Sequence, residues 1–146
     1  MSHPSRILVI DDNELFARTV QRMLQRKGVE VEVAFDGEQG LSMATALRFD
    51  LVILDLVMPK LDGFELIRRL RKEAHCPRLI AMSGNVSVQG PVSLQSALEV
   101  GAHAVLEKPF SQEKLFEQVF KIMATVSRFP TPRREVPSPC RARLFA

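Results

Sequence analysis

Short apolar runs alternate along the chain with longer stretches whose apolar residues recur every three or four positions. The first run, RILVI at residues 6–10, is too short for a stable helix and rich in branched side chains, so it predicts a buried strand. From 13 to 27, Phe16, Val20, Met23 and Leu24 share one helical face, and Gly28 stands where such a helix stops. VEVEVAF at 29–35 alternates apolar and polar positions and predicts an edge strand with one wet face. Asp36 is placed to cap a helix over 37–47, and LVILD at 51–55 is a third strand. Asp62 and Glu65 have capping-box spacing ahead of Phe64, Ile67 and Leu70, which predicts a helix to about residue 72. RLIAM at 78–82 and HAVLE at 103–107 are further strands, separated by a polar loop and a short helix near 92–100 closed by Gly101. Ser111 caps a last helix whose Leu115, Val119, Ile122 and Met123 face the sheet.

Five strands alternating with five helices imply parallel pairing, because a parallel strand needs a crossover and the crossover packs as a helix. The expected fold is α/β, a doubly wound five-stranded parallel sheet with helices on both faces, in the flavodoxin-like order. Ligands of such sheets bind beyond the carboxyl ends of the strands.

Asp11 and Asp12 follow the first strand, Asp55 ends the third, Ser83 follows the fourth and Lys108 the fifth. Each has a bland reading alone: a helix cap, a turn hydroxyl, a solvated lysine. Together they put three carboxylates, a hydroxyl and an ammonium at one sheet edge. Crowded carboxylates repel, so some stay protonated unless a cation neutralises them. An oxygen-only donor set with room for water suits Mg²⁺.

Composition narrows the partners. A length of 146 residues, 46% of them apolar, supports one domain with a real core and not obviously two. No apolar run approaches a membrane span and no signal-peptide pattern opens the chain, so a cytoplasmic protein without a membrane partner is expected. Cys76 and Cys140 have neither metal nor redox spacing and read as bystanders. The net charge of +3 is uneven: from Arg128 onward there are five Arg and one Glu, while the body carries a slight negative excess. The basic character belongs to the tail, so nucleic acid is not an expected partner of the folded part. The expected division is residues 1–127 as the domain and 128–146 as a basic, Pro-rich, disordered tail.

Taken together, VIDDN, LDLVMPKLDGFE, MSG, GA and EKPF, in this order and at these separations over about residues 5–125, resemble a response-regulator receiver domain of two-component signalling. The resemblance implies that Asp55 accepts a phosphoryl group from a sensor histidine kinase or phosphotransfer protein. It implies Mg²⁺ held by Asp11, Asp12, Asp55 and the backbone carbonyl of Val57, with Ser83 and Lys108 on the phosphoryl oxygens. Pro109 would follow a cis peptide bond. Such a chain is a switch rather than a turnover enzyme, a stand-alone receiver signalling to a downstream protein as a monomer or weak dimer.

Two departures stand out. The aromatic residue common three positions before the lysine is here Val105, so the usual rotamer switch is missing and the loop at 84–95 is expected to carry the signal. That loop is a few residues longer than usual, and Gly90-Pro91 delays the helix after it. Val57 and Asn85 flank the pocket and are expected to influence hydrolysis. Two other classes fit less well. An aspartate-based phosphohydrolase wants an acid two positions beyond its nucleophile, where Val57 stands. A flavin or nucleotide carrier wants a Gly-rich phosphate loop where DDNE stands.

Overall fold

The computed structural model describes residues 5–84 and 94–128. In chain order these are β1 (Arg6–Ile10), α1 (Glu14–Gln25), β2 (Glu30–Ala34), α2 (Gly37–Ala46), β3 (Leu51–Asp55), α3 (Gly63–Arg71), β4 (Arg78–Ser83), α4 (Leu94–Val100), β5 (Ala104–Glu107) and α5 (Gln112–Arg128). The strands form one parallel sheet in the order β2-β1-β3-β4-β5. The expected doubly wound α/β fold is therefore present. Asn85, the loop at 85–93 and the tail from residue 129, with Cys140, lie outside the described residues.

The alternation of side chains along each strand divides the apolar runs between two cores. Ile7, Val9, Leu51, Ile53, Ile80 and Met82 pack with Ala17, Val20 and Leu24 of α1 and Leu115 and Val119 of α5. Leu8, Ile10, Val52, Leu54, Leu79 and Ala81 pack on the other face with Leu66, Ile67 and Leu70 of α3, Ala44 of α2 and Ala97 of α4. The central strands have no wet face, which is why their sequences are unbroken apolar runs. β2, at one edge, keeps Glu30 and Glu32 exposed and Val31 buried, as its alternation predicts.

Helix starts follow their caps. The side chains of Asn13, Asp36 and Asp62 accept N–H bonds from Phe16, Gln39 and Glu65, at 3.1, 2.7 and 2.9 Å. Beneath α4, buried Arg71 of α3 brings Nη1 to 3.1 Å from Nε2 of His103, whose Nδ1 accepts the Leu79 N–H at 3.0 Å. Gly101, at φ 132°, makes room for this arginine: a Cβ there would sit 3.1 Å from its side chain.

Gly63 explains the DG that interrupts the third apolar run. A Cβ at this position would lie 2.5 Å from both the Asp55 carbonyl oxygen and the Leu56 Cα, so α3 can press against the end of β3 only with glycine at its start. We expect Gly63→Ala to destabilise the fold by about 1–3 kcal/mol, the usual cost of overpacking a rigid contact. Urea unfolding checks this, and an unchanged midpoint would show that the approach is not tight.

Candidate functional site

The three acids and the lysine singled out at the strand ends reach the same edge of the sheet, and Ser83 ends the strand beside them. Asp11 is completely buried just after β1. Its Oδ1 accepts the Asn13 N–H at 2.9 Å, and its Oδ2 accepts from Lys108 Nζ at 2.7 Å. Because Asn13 performs the capping of α1, Asp12 is not consumed as a cap; its carboxylate is exposed at the mouth of the site. Asp55 is the last residue of β3, its side chain one-tenth exposed. Its Oδ1 accepts the Val57 N–H and its Oδ2 the Lys108 ammonium, both at 3.3 Å. One carboxylate oxygen from each of Asp11, Asp12 and Asp55 lies within 4.8 Å of the others.

The opposite wall comes from β4 and β5. Ser83 ends β4 and is buried, and its carbonyl accepts the Lys108 N–H at 2.9 Å, which ties the two strand ends together. The Lys108–Pro109 bond is cis, as anticipated. Lys108 runs back past Gly84, close enough that a Cβ there would lie 3.3 Å from its own Cβ, and its ammonium enters between Asp11 and Asp55. Val57 is nearly half exposed beside the pocket, with its N–H turned to Asp55. The aromatic neighbour of the lysine, Phe16, was legible only as one more apolar position of α1; its ring lies 4.3 Å from Nζ.

Electrostatics single out Asp55. Burial is the main reason its carboxyl is pushed up from the usual 3.8 to about 6, and repulsion from Asp11 adds to it. Lys108 and the Val57 N–H act in the opposite sense and only partly offset the rise. With every group ionised, three carboxylates and one ammonium leave a formal −2 in a mostly buried space. Hard oxygen donors and that charge fit a small divalent cation.

The family model of the response regulator receiver domain matches residues 7–120. This chain belongs to the response-regulator receiver family. It is 36% identical over 116 residues to the response regulator MprA of Mycolicibacterium vanbaalenii, an alignment covering 80% of this chain and 49% of MprA. The chain thus spans about half the length of the curated relatives it matches. Among solved structures, the chemotaxis protein CheY4 of Vibrio cholerae superposes with a TM-score of 0.75 at 31% identity, covering 82% of this chain and 99% of CheY4. The receiver domain of the sensor histidine kinase PA1611 of Pseudomonas aeruginosa superposes with a TM-score of 0.75 at 27% identity, covering 84% of this chain and 99% of its own. That receiver carries a magnesium ion coordinated in its active-site cleft. Receiver domains are signalling domains of two-component systems, and this chain shares their fold and an acidic cluster at the strand ends.

The raised carboxyl has a consequence for stability. Asp55 titrates near 6 in the folded protein and near 3.8 when unfolded, so between these values the folded state holds more protons and stability falls as pH rises. The penalty is complete above about pH 6 and absent below about pH 4. Without metal, Asp55→Asn should therefore stabilise the protein at pH 7 by about 1–2 kcal/mol, after allowance for solvent screening. The gain should vanish near pH 3.5. Paired urea titrations at the two pH values check this; a variant less stable than wild type at pH 7 would contradict it.

Proposed function

We propose that the chain is the phosphoaspartate switch of a two-component phosphorelay, with Asp55 as phosphoacceptor. The observation that carries the reading is the placement of the Asp55 carboxylate between Lys108 and the acids of β1, beyond the carboxyl end of the central strand. In this mechanism Asp55 Oδ attacks the phosphorus of a phosphohistidine. The O–P bond forms as the N–P bond breaks, and the imidazole leaves carrying the electron pair. Asp11, Asp12, Asp55 and the backbone carbonyl of Val57 would hold Mg²⁺, which when bound would supply positive charge to offset the negative charge that spreads over the phosphoryl oxygens. Lys108 pairs with one of those oxygens and the Ser83 hydroxyl donates to another.

The downstream event is a shift between two conformations, biased by the new charge at residue 55. Val105 of β5 is partly buried against the core that also holds Ala97 of α4, so it offers packing but no ring to swing. The signal passes instead through the segment after Ser83 and the neighbouring α4, β5 and α5 to a protein partner. The donor is a sensor histidine kinase or phosphotransfer protein, and residues 1–127 act as the receiver while 128–146 form a basic tail. The location is cytoplasmic; among the described residues no helix is long and apolar enough to cross a membrane.

Mass spectrometry after treatment with acetyl phosphate and Mg²⁺ tests the assignment. We expect one labile adduct of a single phosphoryl group on the wild type and none on Asp55→Ala. An adduct that survives in the variant would move the acceptor elsewhere.

A further inference from the structure

The pairing of Lys108 with the Phe16 ring has no part in the mechanism above. The ammonium contacts Asp11 at 2.7 Å and Asp55 at 3.3 Å, and the aromatic ring lies 4.3 Å from the same nitrogen. Phe110, two residues beyond the lysine, meets that ring edge-on, with centroids 5.7 Å apart and planes at 78°. Phe16 is itself anchored: its N–H bonds to the Asn13 side chain at 3.1 Å, and the Asn13 N–H bonds to Asp11 at 2.9 Å. The contacts close a ring from Asp11 through Asn13, Phe16 and Lys108 back to Asp11.

We propose that Phe16 is a positioning residue, whose π face holds the Lys108 ammonium at the mouth of the pocket during phosphoryl capture. The inference rests on the reading of Asp55 as phosphoacceptor. An aromatic face is electronegative and attracts a cation placed over it, most strongly where water is thinned. The side chain of Lys108 is 17% exposed, so little solvent competes. A lysine stem is flexible, and its two carboxylate partners are the groups whose charge a divalent cation would share. The attraction of the ring does not depend on that ion, so Phe16 keeps the ammonium in place when the carboxylates turn to other work. A leucine would fill much of the same space beside Phe110 but present no such face.

The test replaces Phe16 with mono-, di- and trifluorinated phenylalanine, which nearly preserve volume while weakening the ring's electronegative face, alongside Phe16→Leu and Phe16→Tyr. Two quantities are read: the NMR order of the Lys108 side chain in metal-free protein, and the rate of phosphoryl uptake from acetyl phosphate with Mg²⁺. We expect Lys108 to loosen and uptake to slow stepwise with fluorination, to about fivefold slower in Phe16→Leu, with near-normal values in Phe16→Tyr. A flat response of both readouts across the fluorinated series overturns the proposal. If the wild type takes up no phosphoryl group, the phosphoacceptor reading fails. The Lys108 order then decides this inference alone: graded loosening upholds the cation–ring contact, and invariance rejects it.

Discussion

Three carboxylates held within 4.8 Å of one another, with a single ammonium among them, are the constraint on which this structure turns. At an effective dielectric near 20, two like charges at that separation repel by about 3.5 kcal/mol. A fold seeking stability alone would not gather them. Lys108 relieves part of the repulsion, yet burial, with the remaining repulsion from Asp11 added to it, still pushes the Asp55 carboxyl up. The pocket is therefore poised: a proton, a divalent cation or a rearrangement can each lower its energy, and only the cation does so while leaving Asp55 nucleophilic.

The parallel sheet makes this crowding possible. Its central strands are buried on both faces, and α3 presses against the end of β3 through Gly63, so the backbone beneath the carboxylates has little freedom to yield. The hydrogen bond between the Ser83 carbonyl and the Lys108 N–H fixes the opposite wall. Site and core are thus one construction, in which packing imposes a charge arrangement that the solvent would otherwise disperse.

Much of this was readable beforehand, for reasons that differ by element. Strands such as RILVI and LVILD announce themselves because residues buried on both faces leave unbroken apolar runs. The pocket acids were legible because the strand ends of such a sheet converge, so positions far apart in sequence could be placed together. Element ends were less exact: α1 closes at Gln25 rather than near Lys27, and β4 runs on to include Ser83. Such boundaries depend on local hydrogen bonds rather than on hydrophobic period. The Phe16 contact was hidden because an aromatic residue on a helical face reads as core, and only the path of the Lys108 side chain reveals its second neighbour. The contact of buried Arg71 with His103 was equally silent, since polar residues at the end of a helix and the start of a strand read as surface.

Calorimetric titration with Mg²⁺ in buffers of different ionisation enthalpy tests the poised pocket most directly. Since Asp55 is about half protonated near pH 6, the account predicts one ion bound per chain at that pH with about half a proton released, and no proton release at pH 8. Absence of saturable binding, or proton release identical at both pH values, would contradict it.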